Sequence, residues 1–296
     1  MKKCQCDKEN NSYFTIDKVK IDLDPMNKRV KIINSDGLSI QTLEKIKDFA
    51  SVNQAGKILC NTVLSEVKLF VKAGFCVEGK IDGFFQGADA YCVSYFMDRI
   101  RKISENPEQK DKIIAQCFMP NSRHTVGGSN TLSYRIRTAT QSDIGEIVAL
   151  FSTVFSTYPT PVYDEEYIRQ TMNGKILYKV AESEGKIIGM ASADMDMGNR
   201  NAEMTDCATY PDYRGKGVLS NIICELEAEL KNRSFITLYS LSRAVNVGIN
   251  LVLCKHQYKY RGRLINNCNI CGAFEDMNIW VKSLDAFGSR GHYIKR

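Results

Sequence analysis

The 296-residue sequence predicts an α/β fold of the α+β kind: a mixed, largely antiparallel central sheet flanked by helices over 134–287, preceded by an N-terminal α/β domain over 13–120. Three observations carry the prediction. The length exceeds what a single core ordinarily serves, which favours two units. In the second half, β-type runs punctuated by glycine turns give way to apolar residues at helical spacing. Between the halves, Pro120 to Asn130 is polar, glycine-containing and aperiodic, so a linker is placed at 121–133. Residues 1–12 and 288–296 are polar ends without an apolar face.

Taken in order, the first half reads as strand Lys28 to Ile33, helix Thr42 to Ala50, strand Lys57 to Cys60, helix Ser65 to Val71, and strands Phe75 to Ile81 and Ala90 to Phe96. The second half opens with strand Tyr134 to Thr138. Thr140 then caps a helix, with Asp143 three residues on and Ile144, Ile147, Val148 and Phe151 on one face. A short helix at Glu165 to Met172 precedes three strands, Lys175 to Glu182, Ile187 to Met195 and Ala202 to Tyr210, whose Gly185 and Gly198-Asn199 turns imply an antiparallel meander. Val218, Ile222, Ile223, Leu226 and Leu230 form the next helical stripe. Strand Phe235 to Leu241, helix Val245 to Cys254 and strands Tyr258 to Ile265 and Met277 to Val281 complete the order.

The first-half order matches the last six elements of the second half. Lys72, Phe75, Val77, Gly79 and Ile81 fall opposite Lys255, Tyr258, Tyr260, Gly262 and Leu264 at a constant offset of 183 positions. Two of these five pairs are identical. An ancient half-domain repeat stands beside the alternative of two unrelated α/β segments.

Composition narrows the class of function. Hydrophobic residues at 44% and charged residues at 25% are those of a globular chain. The net charge of +6 is dispersed, with no run of five basic residues, so neither nucleic acid nor a membrane surface is expected as partner. No apolar stretch approaches the roughly 18 to 20 residues that span a bilayer. Eleven cysteines without a signal-peptide core imply free thiols in a reducing cytoplasm. Cys4-x-Cys6 and Cys268-x-x-Cys271 do not make a paired four-ligand zinc site, and the three histidines are scattered, so no metal is expected.

The chemistry concentrates in Tyr210-Pro211-Asp212-Tyr213-Arg214-Gly215-Lys216-Gly217-Val218-Leu219, between a strand and an amphipathic helix. A helix N-terminus presents unpaired N–H groups and partial positive charge, and glycines let a backbone approach an anion closely. Arg214 and Lys216 add cations, so the turn suits a pyrophosphate. P-loop and dinucleotide glycine spacings are both absent.

This loop resembles the acetyl-CoA pyrophosphate loop of the GNAT superfamily, and the element order from Tyr134 to about Leu284 is similar to that fold. The small residue that ends the family motif is replaced by Leu219. A narrower resemblance, to the β-lysine N-acetyltransferases, is carried by the N-terminal α/β half, the loop, Gly262 to Ile270 and Glu275 to Trp280. It implies acetyl-CoA as cosubstrate, a small-molecule amine as acceptor, and the compatible solute Nε-acetyl-β-lysine as product. A homodimer is compatible with this reading. Where the second half has its basic loop, the first has Asn34-Ser35-Asp36-Gly37, so one CoA site per chain is expected.

What the resemblance implies about residues can be set against their spacing. The cofactor set is Cys207, Ala208, Thr209, Arg214, Gly215, Lys216, Gly217, Val218, Leu219 and Asn246, with amides near Cys207 to Thr209 facing the acetyl carbonyl. In this family the amine attacks the thioester directly and a carboxylate takes its proton. Alternation places Glu203 and Asp206 on opposite faces of their strand unless a bulge intervenes. Asp206 is preferred as base, nearer the region that receives the thioester, and Glu203 is as readily a solvated carboxylate. The tyrosine that protonates the leaving thiolate in many relatives is replaced by Leu253, leaving Tyr258, Tyr260 or water.

A β-amino acid acceptor requires an anion clamp, for which Arg243, Asn246, Asn266 and Asn267 are candidates. It also requires ammonium acceptors, for which Asp194, Asp196, Glu275 and Asp276 are candidates, and Tyr158 and Tyr163 suit a substrate-side lip. Taken singly, each reads first as an ordinary turn or surface residue. A GNAT enzyme acting on another amine, and a non-catalytic CoA-binding scaffold, are the alternatives.

Overall fold

The computed structural model describes residues 11–35, 37–119 and 132–284. The Cys4-x-Cys6 pair, most of the expected linker and the 288–296 tail lie outside them. The first half runs β1 (Ser12–Ile16), β2 (Val19–Asp24), β3 (Arg29–Ile32), α1 (Ile40–Val52), β4 (Lys57–Thr62), α2 (Leu64–Lys72), β5 (Cys76–Phe85), β6 (Ala88–Phe96) and α3 (Pro107–Phe118). The second runs β7 (Arg135–Thr138), α4 (Ile144–Val154), α5 (Glu165–Met172), β8 (Ile176–Ser183), β9 (Lys186–Asp196), β10 (Asn201–Thr209), α6 (Val218–Asn232), β11 (Thr237–Arg243), α7 (Val247–Lys255), β12 (Lys259–Ile270) and β13 (Ala273–Ser283).

Periodicity located most of these elements but not β1, β2 or α3. β1 is largely exposed, and its turn into β2 uses Asp17 and Lys18 at φ +48° and +76°, a hairpin without the expected glycine. Helix α3 starts with Pro107 at its first turn and buries little apolar surface beyond Ile113 and Cys117. It packs on α7, where the Cys254 thiol donates to the Cys117 carbonyl at 2.9 Å. Thr140 and Asp143 form the expected capping box ahead of α4.

The thirteen strands of the described residues form one sheet, ordered β1-β2-β3-β4-β6-β5-β12-β13-β11-β10-β9-β8-β7. Its two sides meet at a single pair, Gly79 with Gly262. There is no room for a side chain there: a Cβ on Gly79 would stand 2.7 Å from the Arg261 carbonyl, and one on Gly262 would run into the Glu78 carbonyl. Read outward from this crossing, β5-β6-β4-β3-β2-β1 mirrors β12-β13-β11-β10-β9-β8. In each series only β3–β4 and β10–β11 are parallel. The repeated order thus spans eight elements rather than the six read from sequence, because β1 and β2 belong to it.

The two series also make equivalent contacts. Asp24 accepts from the Asn27 amide at 3.1 Å, and Asp196 from the Asn199 amide at 3.0 Å, so each pair closes the turn that leads into β3 or β10. Each turn receives the hairpin of the other half. Asn269 N–H donates to Asn27 Oδ1 at 2.8 Å and Arg29 to the Asn267 carbonyl at 3.0 Å. Reciprocally, Gln86 N–H donates to the Asn199 carbonyl at 3.3 Å and Asn201 to the Phe84 carbonyl at 2.8 Å. Positions 84 and 267, and 86 and 269, stand at the same offset of 183. The halves therefore exchange hairpin tips about a pseudo-twofold axis through the glycine pair.

Apolar residues of both hairpins seal this exchange: Ile81, Ala90 and Cys92 pack with Leu264, Met277, Ile279 and Val281. Full burial of side chains such as Ile81 and Ile279 contributes about 1.5–3 kcal/mol each. The first half keeps its own core around Ile21, Val30, Leu43, Ile58 and Phe70. The consequence for the site is positional: the β2–β3 turn is brought against the second half.

Candidate active site

The turn into α6 is built to stay open. After β10, Pro211–Tyr213 makes one 3₁₀ turn, and Gly215 and Gly217 take φ +74° and +77°, a region that L side chains resist. Gly217 is the N-cap and offers no side-chain acceptor. The first helical bond runs from Asn221 N–H to the Gly217 carbonyl at 3.0 Å, so the amides of Val218, Leu219 and Ser220 have no partner within the helix. Arg214 and Lys216 are exposed beside them, Arg214 anchored through Nε to the Thr209 carbonyl at 3.1 Å. Val218 is buried, and Leu219 packs against the core under α6. The bulk at Leu219 is thereby turned inward, away from the open end. Open amides, left-handed glycines and flanking cations fit a pyrophosphate.

Beside the loop the sheet opens. β10 pairs with β11 over Asn201 to Glu203 only. Ser240 closes the fork by donating to the Met204 carbonyl at 2.7 Å. Beyond it, alternate amides of β10 face a gap instead of a strand.

A bulge in β10 changes which side chains face that region. The register with β9 slips between Thr205 and Ala208, with Asp206 at φ +49°. Strict alternation sets Asp206 opposite Glu203. The bulge is the exception that the alternation allowed: Asp206 turns to the side of Ser192, the cross-strand partner of Thr205, and accepts its hydroxyl at 2.6 Å. Glu203, Thr205 and Asp206 therefore line one face, away from α6.

Their electrostatics differ from those of surface carboxylates. Glu203 is half-buried. Burial, reinforced by the charges of Asp194 and Asp206, pushes its carboxyl up to about 7, against the opposing pull of Lys31 and of Tyr239. Tyr239 donates to it at 3.3 Å. The solvated role allowed for Glu203 does not hold. Asp206 is buried and also raised by that burial, with the Ser192 and Tyr158 hydroxyls countering it. Burial drives the Cys207 thiol up to about 12.

The remaining candidates separate. Tyr158 reaches Asp206 and packs on Phe151 and Phe155, whereas Tyr163 donates to the Phe155 carbonyl at 3.1 Å. Asp194 lies across from Glu203 and pairs with Lys175 at 3.1 Å. Arg243 and Glu275, assigned to opposite tasks, pair with each other at 2.6 Å. Asn246 caps α7 through the Ile249 amide at 3.3 Å. Asn266 donates to the Arg101 and Ile103 carbonyls, Asp276 is buried on Lys110 at 2.8 Å, and Asp196 closes its turn. Asn267 is buried, its side-chain oxygen without a partner among the described residues. Tyr258 is buried beside Glu227, Tyr260 packs edge-on to Trp280, and Leu253 is fully buried; all three lie on the helix side of the sheet. Neither tyrosine is brought to Glu203. Sequence reasoning missed Lys31, whose charge reaches Glu203 from the first half and whose only sequence signal was its place in a predicted strand.

Among the described residues no group of His, Cys, Asp and Glu is placed to hold a metal ion, and no helix is long and apolar enough to cross a membrane.

Comparison with known proteins identifies the family. The model of the acetyltransferase (GNAT) family matches residues 145–249, which include the loop and the bulged strand. The chain is 38% identical over 258 residues to the beta-lysine N(6)-acetyltransferase of Methanosarcina mazei, covering 81% of this chain and 95% of that protein. It is 33% identical over 264 residues to the N-acetyltransferase YodP of Bacillus subtilis, covering 89% and 95%. A beta-lysine N(6)-acetyltransferase of Methanococcus maripaludis is 29% identical over 266 residues, covering 88% and 95%. These matches run through both halves, and the chain belongs to the β-lysine N(6)-acetyltransferase family, whose acetyl-transferring part is of the GNAT type.

Proposed function

We propose that the protein transfers the acetyl group of acetyl-CoA to the distal amine of β-lysine, forming Nε-acetyl-β-lysine in the cytoplasm. The observation that carries the reading is Glu203, a carboxyl held near 7 beside the opened β10–β11 fork and the uncapped start of α6. Acetyl-CoA, when bound, supplies an activated thioester carbonyl. The α6 amides with Arg214 and Lys216 hold its phosphates, and the β10 amides that face the gap are donors for the carbonyl oxygen. An alkyl ammonium, with a reference pKa of about 10.4, must lose a proton before it attacks. Glu203 takes that proton; the Asp206–Ser192–Tyr158 cluster borders the same face and orients the amine. Cys207 stays protonated at neutral pH, which disfavours a route through its sulfur and leaves direct attack. The free thiols of the described cysteines suit a reducing compartment.

The test is CoA release by purified protein with acetyl-CoA and β-lysine, lysine, ornithine or spermidine, beside an Arg214→Ala, Gly217→Glu control. Turnover preferring β-lysine and abolished in the control supports the reading. Turnover on another amine alone rejects the acceptor and keeps the chemistry; CoA binding without turnover rejects both.

A further inference from the structure

Lys31 and Glu203 occupy equivalent places in the two halves. Lys31 stands across from Asp22 in the β2–β3 pair as Glu203 stands across from Asp194 in the β9–β10 pair, at a common offset of 172 positions. Val19, Ile21, Val30 and Ile32 point into the first-half core, so Asp22, Asp24, Arg29 and Lys31 share the opposite face. That face looks toward the second half. Asn27, in the turn between the strands, donates to the Pro159 carbonyl at 3.3 Å, next to Tyr158, and the positive charge of Lys31 is felt at Glu203.

The four charges on this face are not equally satisfied. Asp24 is held by Arg29 at 2.8 Å and by the Asn27 side chain. Among the described residues Lys31 has only Asp22 at 3.4 Å and Asp24 at 3.6 Å, both longer than an N–H···O bond, and its side chain is 30% exposed. Asp22 is 3% exposed; its Oδ2 accepts from the Asn11 side chain at 2.9 Å, and its Oδ1 has no hydrogen-bond partner among the described residues. A buried carboxylate oxygen left without a donor is costly unless something arrives to satisfy it. Meanwhile the second-half cation expected to clamp a carboxylate, Arg243, is occupied by Glu275.

We propose that the first half reads the head of the acceptor: Lys31 binds its carboxylate and Asp22 Oδ1 the neighbouring ammonium, so that the distal amine extends to Glu203. The inference rests on the reading of the acceptor as β-lysine. In a β-amino acid the carboxylate and the ammonium-bearing carbon are separated by one methylene, so a cation and a carboxylate side by side on adjacent strands match its charges. The degenerate half would then supply specificity, and the half with the open loop the chemistry.

Calorimetric titration of the CoA-bound protein tests this without turnover, using β-lysine and 1,4-diaminopentane, the same diamine without its carboxylate. Wild type is expected to bind β-lysine more tightly. Lys31→Met should weaken β-lysine by roughly tenfold to a hundredfold, the worth of a hydrogen bond to a charged group, and leave the diamine nearly unchanged. Its KM for β-lysine should rise, with kcat retained once the pH is high enough to ionise Glu203, whose carboxyl rises further when the Lys31 charge is removed; Lys31→Arg should restore binding while melting like wild type. Equal affinity of wild type for both ligands, a comparison that needs no variant to fold, overturns the inference and leaves β-lysine acetylation standing. An equal loss on both ligands in Lys31→Met, or none on either, overturns it as well. If wild type neither binds nor acetylates β-lysine, the acceptor reading fails and this inference fails with it.

Discussion

The two halves share a strand order but end their first crossover differently, and the difference lies in one helix N-terminus. In the first half α1 begins at Ser39, whose hydroxyl accepts from the Thr42 amide at 3.1 Å. In the second, α6 begins at a left-handed Gly217 with no side chain to accept anything. One helix closes its dipole on itself and the other offers it to a ligand. A second contrast follows in the neighbouring strands: β3 keeps β4 beside it from Arg29 to Ile32, whereas β10 leaves β11 after Glu203. The same topology thus yields a closed half and an open one through a few local choices.

That contrast breaks most readily at the loop. Gly217→Glu places a negative charge and a strained backbone in the anion cradle; like-charge juxtaposition costs several kcal/mol, so CoA affinity should fall by on the order of a thousandfold by calorimetry. Gly37→Ala, in the corresponding first-half connection, should leave CoA binding unchanged, and wild type should bind one CoA per chain. Two CoA per chain would end the comparison.

Next in size is Glu203→Gln, expected to lower kcat/KM by about a hundredfold to ten-thousandfold, the usual worth of a general base. The base works deprotonated, so wild-type kcat/KM should rise with pH up to about 7 and level off above it. The variant should lack that limb. Because the folded-state carboxyl is raised from its ordinary 4.5, Glu203 favours folding while protonated, and that contribution fades as pH rises through about 7. Thermal melting of the variant should accordingly vary less with pH over that window.

At the axis itself, Gly262→Ala forces a side chain against the Glu78 carbonyl. Overpacking of this kind costs about 1–3 kcal/mol and should appear as a lower melting temperature. A variant melting like wild type would show that the glycine pair does not join the halves. Ser39→Ala should cost about 1 kcal/mol by denaturant unfolding with CoA affinity intact. Smallest of all, Tyr258→Phe and Tyr260→Phe should keep kcat within about twofold, since both phenols sit on the helix side.

The sequence was most legible where structure is local. The turn Arg214 to Gly217, the stripe of α6 and the capping box at Thr140 each depend on residues within a few positions of one another. The repeat was partly legible through Gly79 and Gly262, which prove to be the very pair that meets at the axis. β1 and β2 escaped because an exposed strand and a glycine-free turn carry little signal. Arg243 and Glu275 read as an anion clamp and an ammonium acceptor, because nothing in a linear sequence says that they neutralise each other.

The sequence by itself determined a helix start open to an anion, because glycine conformation and unpaired amides are properties of a short segment. Only the tertiary structure gave the proposed base its surroundings. The bulge at Asp206, the burial of Glu203 and the approach of Asp194 and Lys31 are set by strand register and by the exchange of hairpins between halves. A carboxyl pKa answers to the solvent it loses and the charges it gains, and for Glu203 both come from residues distant along the chain.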